Sequence, residues 1–259
     1  MIPFIIYTHD SYFDIFELCL KLFNKFLSNH KIYIAINDNT LIENSEFKSL
    51  NNEVEVLCYN NNDNYTKRLI SILEKIKEEY AIIVHEDMIP VNIIDINLLN
   101  KLENIMRNDE IYHIRSYMAF GNIISGVFIC DFFETNDKIY KLYAATEDAS
   151  YKYSIQPGIW EKKFYLEMLK NFQDSDYVHV EIGEIQIYIS KFLNKIYYMH
   201  YENKNLEEIN TFYSNLSINS IFYPHIHSCY NSKWVICNYP SLYKILTDNG
   251  INPLDRNFI

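Results

Sequence analysis

YAIIVHEDMIP, residues 80 to 90, sets an apolar run from Ala81 to Val84 against His85, Glu86 and Asp87 and then closes on Met88-Ile89-Pro90. A short apolar run of this kind, between a helical segment and a proline, reads as a strand buried on both faces. In an open α/β sheet the ligand crevice lies at the carboxyl ends of the strands. Two adjacent carboxylates at that point are oxygen donors suited to a hard divalent ion, and such an ion suits a diphosphate. The pair marks the first candidate centre of an active site.

Outward from this strand the pattern alternates. Residues 3–8 (PFIIYT) read as a strand, and a helix is predicted from Asp10 or Ser11 to about Leu27, where Ile15, Phe16, Leu18, Cys19, Leu22, Phe23 and Phe26 recur at helical spacing. Strands follow at 31–37 and 54–59, then a helix over 65–79 with Leu69, Ile72, Leu73 and Ile76 on one face. Beyond Pro90 the spacing predicts a helix at 95–107, a strand at 111–115 and short antiparallel strands between 125 and 154. Helices are predicted at 159–171 and 182–193, strand-like pieces at 196–200 and 233–237, and a short helix at 241–247. This order implies an α/β fold with a mixed, mostly parallel sheet flanked by helices and a small antiparallel portion. With no linker and no internal repeat, one domain is expected over 1–259: a nucleotide-binding half at 1–115, then an acceptor-side half and extension at 116–259.

Composition narrows the function. A formal net charge of −11 argues against a nucleic-acid groove, which needs a positive stripe. No run of about 18 apolar residues occurs, so no membrane span is expected. The N-terminal MIPFIIYTHD lacks a basic region and reads as a strand rather than a signal peptide. Five scattered cysteines with no C-x-x-C pair point to reduced thiols in a cytoplasmic setting. The 23 tyrosines are discounted as a coding bias. Only five glycines are present, and no glycine-rich phosphate loop can be built from them. A nucleotide must therefore be held by side chains, a helix N-terminus or a metal.

Several groups carry candidate chemistry, each with a plainer alternative. Thr8 and Asp10 end the first strand and can accept from a base or ribose, although Asp10 is as readily a helix N-cap. Asp38 closes the second strand and is also a turn former. Tyr65 and Arg68 open the helix leading into the acidic strand, where an anion is welcome and a guanidinium fork can grip phosphate; a solvated helical arginine is the commoner case. Asp87 is the better metal ligand, with Glu86 or His85 aiding. In Ser154–Trp160, Gln156-Pro157-Gly158 forces a turn, Gly158 is expected in a conformation other residues avoid, and Trp160 either stacks on a substrate ring or fills the core. Glu181 is a candidate general base with Glu184 one turn on, and N-capping is the alternative for both. His225-x-His227 has the spacing of one strand face and offers a weak metal pair.

YTKRLISILEKIKEEYAIIVHEDMIP resembles the Tyr-x-x-Arg-Leu to Glu-Asp segment of GT-A-type sugar-nucleotide glycosyltransferases found in bacterial capsule and lipopolysaccharide clusters and in large DNA viruses. YKYSIQPGIWEKKFYLEML is similar to their Ser-Leu-Gln-x-Gly-x-Trp motif, YTHDSYFD to their opening strand-to-helix turn, and Asn231-Ser232-Lys233-Trp234 to their Gly-Lys-Trp. The stretch from Asp176 to Glu181 keeps the family's late glutamate without the tryptophan that usually precedes it. The resemblance implies a Rossmann-like nucleotide half and a donor diphosphate held by Mg²⁺ or Mn²⁺ on Asp87. It further implies Arg68 as the family's arginine and Glu181 as its glutamate. The expected activity is sugar transfer from a nucleotide-sugar donor to a glycan or glycoconjugate hydroxyl in polysaccharide biosynthesis. The alternatives are a non-catalytic relative that binds sugar or nucleotide, and a metal-dependent phosphoester hydrolase using His85, Asp87, His225 and His227.

Overall fold

A computed structural model of the chain describes residues 1–43, 52–115, 126–134, 138–147, 155–174, 184–203, 222–230, 233–236, 240–254 and 256. The first half runs β1 (Phe4–Tyr7), α1 (Phe13–Phe26), β2 (Lys31–Ile36), α2 (Thr40–Glu43), β3 (Glu53–Cys58), α3 (Tyr65–Leu73), β4 (Tyr80–His85), β5 (Met88–Pro90), α4 (Ile96–Asp109) and β6 (His113–Arg115). The second half adds β7 (Gly126–Glu134), β8 (Lys138–Ala145), β9 (Gly158–Glu161), α5 (Lys162–Asn171), α6 (Glu184–Ile189), β10 (Ile196–Asn203), β11 (His225–His227), β12 (Cys229–Tyr230), β13 (Lys233–Trp234) and α7 (Pro240–Asp248). A 3-10 turn, Asp10–Tyr12, leads into α1, and a second 3-10 segment, Ser190–Lys195, follows α6.

Nine strands form one sheet in the order β3-β2-β1-β4-β9-β6-β10-β8-β7. The β3-β2-β1-β4 side is parallel throughout, whereas β9 runs antiparallel to both β4 and β6, and β8 is antiparallel to β10 and β7. This is a mixed, helix-flanked α/β sheet of Rossmann-like kind. Two-stranded sheets, β11–β5 and β12–β13, sit beside it.

The run FIIY of β1 is buried at every position because successive side chains enter different cores. Phe4 and Ile6 pack with α1 and α4 residues such as Phe16, Phe23, Leu98 and Leu102. Ile5 and Tyr7 pack on the opposite face with Leu69 and Ile72 of α3 and Phe164 and Met168 of α5. Asn64 caps α3 through the Lys67 amide (2.9 Å), and Asp95 caps α4 through the Asn97 and Leu98 amides (2.9 and 3.2 Å).

Two expectations need correction. The helix expected over 65–79 stops at Leu73; the remaining EKIKEE offers one apolar residue, Ile76, too little for another stripe. The helix expected from 159 begins only at Lys162, because Gly158–Glu161 forms β9 in the middle of the sheet. Its backbone pairs with β4 at Ala81↔Trp160 and with β6 at His113↔Trp160, and the Glu161 carboxylate caps α5 by accepting from the Phe164 amide at 2.6 Å.

Among the described residues His30, His113 and His225 each bury a ring nitrogen that has no hydrogen-bond partner, and the last two are buried completely. His113 binds the Ile159 carbonyl through Nδ1 (2.9 Å) and His225 binds the Tyr223 carbonyl through Nδ1 (2.8 Å). In both, Nε2 is buried without a hydrogen-bond partner among the described residues. Desolvation drives both imidazoles from the usual 6.5 down to about 3. The folded chain thus excludes two protons that the unfolded chain takes up near pH 6.5. Their contribution is fully present above pH 6.5 and is lost as pH falls toward 3, at about 1.4 kcal/mol per pH unit for each. The share of Tm that these two histidines contribute, followed by circular dichroism in thermal unfolding, is expected to fall away as pH drops below 6.5. His113→Phe is expected to shallow that slope by one proton; an unchanged slope would contradict the assignment.

Candidate active site

The parallel strands β1 and β4 end side by side, with Tyr7 opposite His85, and a cleft of 1210 Å³ opens above them. Its lining includes Thr8, Tyr65, Arg68, Glu86 and Asp87, five residues the sequence reading singled out. The 3-10 turn supplies His9, Ser11 and Tyr12, and the loop between β3 and α3 supplies Asn61, Asn62, Asp63 and Asn64. Across the mouth, His9 Nε2 lies 3.0 Å from Asn61 Oδ1.

The floor is aromatic. Tyr7 and Tyr59 stack at 5.2 Å with planes 7° apart, Tyr65 meets Tyr7 edge-on, and the Tyr65 hydroxyl lies 3.0 Å from His85 Nε2. The Tyr59 hydroxyl donates to the Thr8 carbonyl at 2.6 Å. Discounting tyrosine as a coding bias therefore missed the floor; its signal was Tyr7 and Tyr59, each closing a strand run in the same way.

The two carboxylates are driven apart. Burial, reinforced by the charge of Asp87, pushes Glu86 up to about 8, so Glu86 carries a proton at neutral pH. For Asp87 burial acts in the same direction, but His227 and then His85 outweigh it and hold the carboxyl below its ordinary value. The site thus presents one anion and one neutral acid from adjacent residues. His85 is itself held neutral by burial, near 4.

His227 reaches this point because β11 pairs antiparallel with β5, placing His227 opposite Met88. Its Nδ1 stands 3.7 Å from Asp87 Oδ2, an electrostatic approach rather than a formed hydrogen bond. On the other side, Nε2 donates to Gln156 Oε1 at 2.9 Å, which leaves Nδ1 as the ring nitrogen that faces Asp87. Ser228 anchors the turn by donating its amide (2.7 Å) and hydroxyl (3.1 Å) to the Asp87 carbonyl. Gln156 therefore enters the site through His227. His225 does not join it: its ring is buried against Tyr223, which removes one ligand from the two-metal hydrolase alternative.

The other expected residues fall elsewhere. Arg68 lines the cleft, but its Nε donates to the Asp63 carbonyl (2.7 Å) and its Nη2 to the Asn61 carbonyl (2.6 Å), with the guanidinium 5.2 Å over Tyr59. It braces the asparagine loop, and a bidentate grip on phosphate would require it to let go. Asp10 is not among the residues lining the cleft; its Oδ1 lies 2.6 Å from His9 Nδ1 and its amide donates to Asn37 Oδ1. Asp38 accepts from the Thr40 amide at 2.9 Å outside the cleft lining, as a turn former does. Trp160 is 3% exposed and stacks on His113 and Tyr165 at 3.5 and 4.5 Å, so it fills the core. Gly158 is extended, not left-handed, and is required for space. Glu184 opens α6, and Glu181 lies outside the described residues.

An acidic cleft at the carboxyl ends of central parallel strands, in a Rossmann-like mixed sheet, is the class of architecture reached. No protein-family model matches the sequence, and no curated protein matches it significantly. Solved structures of similar shape include Staphylococcus aureus TarS 1–349 in complex with UDP: 15% identity, 76% of this chain and 60% of that chain, TM-score 0.44. The glycosyltransferase GlyE of Streptococcus pneumoniae TIGR4 is another, at 13% identity, 90% of this chain and 56% of that chain, TM-score 0.49. A third is 4-diphosphocytidyl-2C-methyl-D-erythritol synthase of Anaerococcus prevotii, at 13% identity, 74% and 84% coverage, TM-score 0.43. These are distant likenesses of fold, and the chain spans 60% or less of the TarS and GlyE chains.

Proposed function

We propose that the protein is a glycosyltransferase that moves a sugar from a nucleotide-diphosphate donor to a glycan or glycoconjugate hydroxyl, in cytoplasmic polysaccharide assembly. The observation that carries this reading is the anionic Asp87 carboxylate set beside a protonated Glu86 in a cleft floored by tyrosines and walled by asparagine amides. Aromatic faces suit a base, and amides suit ribose and base edges.

Among the described residues no group of three or more His, Cys, Asp or Glu side chains converges as a metal site. Asp87 with His227 nevertheless fits a Mg²⁺ or Mn²⁺ ion of the kind that takes one or two protein ligands and completes its shell with substrate phosphate. Such an ion would offset the charge that develops on the leaving diphosphate. Gln156 keeps His227 in the tautomer that can ligate. In an inverting reaction Glu181 takes the acceptor proton, with Glu184 as the alternative base.

Incubating the protein with UDP- and GDP-sugars, with and without Mn²⁺, and measuring free nucleotide by chromatography tests the reading. Metal-stimulated release with one donor is the expected result. Tight binding without turnover would identify a non-catalytic binder instead, and no binding to any donor would end the proposal.

A further inference from the structure

Arg256 joins parts of the chain that are otherwise separate around the cleft. Its Nε and Nη2 donate to the two carboxylate oxygens of Asp14, both at 2.6 Å, across 242 residues of sequence. Its guanidinium stands 5.7 Å over Tyr12 and 6.0 Å over Trp234. Asp14 lies in the first turn of α1, and Tyr12 lies just before it. Trp234 is fully buried and pairs through the β12–β13 ladder with Cys229. Tyr12, Ile15 and Cys229 all line the cleft. One side chain therefore braces two walls, the start of α1 and the Cys229–Trp234 pair, against each other.

We propose that Arg256 is a positioning residue for this cleft, fixing the Tyr12–Ile15 wall and the Cys229 wall at the separation an anionic nucleotide diphosphate needs. The inference rests on the donor-binding reading above and adds a residue from the far end of the chain to it. A bidentate guanidinium–carboxylate pair is geometrically specific in a way that a single charge contact is not. The Arg256 side chain is 16% exposed and the Asp14 side chain 46%, so the specificity of the pair comes from its two-point geometry and not from shelter. Lysine keeps the charge but cannot reproduce the fork.

The test uses the full chain and the variants Arg256→Met, Arg256→Lys, Asp14→Asn and Arg256→Met/Asp14→Asn. Amide hydrogen exchange over 11–16 and 228–235 reads the walls in the free protein. Calorimetric titration with UDP and with GDP in Mn²⁺ reads the ligand site, well below each variant's Tm. Arg256→Met and Asp14→Asn are each expected to speed exchange in both segments and to raise nucleotide Kd by about tenfold. The double variant is expected to be no worse than either single, because both remove one interaction. Arg256→Lys should recover neither. A Tm change with native Kd and native exchange would mean a merely stabilising bridge and would overturn the proposal, as would single effects that multiply in the double variant. If the native protein binds neither nucleotide, the donor reading fails by itself. The exchange data still decide whether Arg256 holds the walls, and unchanged exchange in Arg256→Met overturns that claim.

Discussion

Asp87→Asn is expected to lower donor turnover by about 10²- to 10³-fold while leaving Tm within a few degrees of native. The substitution keeps the shape of the side chain and removes a carboxylate that the site holds below its ordinary pKa. The local backbone is anchored independently, because both Ser228 bonds go to the Asp87 carbonyl and survive. Loss of fold therefore does not explain loss of activity. A second consequence separates this residue from a bystander. The Asp87 charge is the second cause, after burial, that raises Glu86 to about 8. In the variant Glu86 titrates lower, and any limb of the pH–rate profile that reports it moves toward acid. Stimulation by Mn²⁺ should also vanish. Turnover within threefold of native, with Mn²⁺ response intact, would remove Asp87 from the centre of the site.

What the sequence disclosed follows from how each signal is encoded. β1, β2 and β4 are continuous apolar runs with polar ends, so their order and the acidic strand end were readable from periodicity and flanking residues. β9 was not. Four residues, Gly158–Glu161, buried at their first three positions and running straight into a helix, have neither alternation nor a terminating turn. Only pairing with β4 and β6, 77 and 45 residues away in the cases of Ile159 with Ile82 and Ile114, makes them a strand. Arg68 shows the opposite failure. Its position one turn into α3 was right for an anion site, yet the asparagine loop before it leaves carbonyls that the guanidinium satisfies first. His227 was legible as a possible ligand but its partner was not: the contact with Asp87 arises from a three-residue ladder between β5 and β11, and β5 contains Pro90, a residue that speaks against a strand in any window. Gln156, read in the sequence as part of a turn, also meets His227.

Gly158→Ala is expected to destabilise the chain by about 3 kcal/mol, which for a protein of this size corresponds to a fall in Tm of roughly 6–12 °C. A Cβ at this position would lie 2.4 Å from His113 Cε1, 3.3 Å from His113 Nδ1 and 3.2 Å from the Ile114 carbonyl oxygen. None of these can withdraw easily. The His113 ring is fully buried, is held by the Ile159 carbonyl and stacks on Trp160 at 3.5 Å, while the Ile114 carbonyl belongs to the neighbouring strand. The methyl must therefore push β9 and β6 apart at the centre of the sheet. Gly250 is the control: its φ of +76° strains an alanine, but nothing lies within 4 Å of an added Cβ. Gly250→Ala should cost only the backbone preference, about 1–2 kcal/mol. Combining Gly158→Ala with His113→Ala removes the ring that the methyl strikes, so the two losses should fall short of additive in chemical denaturation. Strict additivity would show that the glycine is needed for something other than the space His113 occupies.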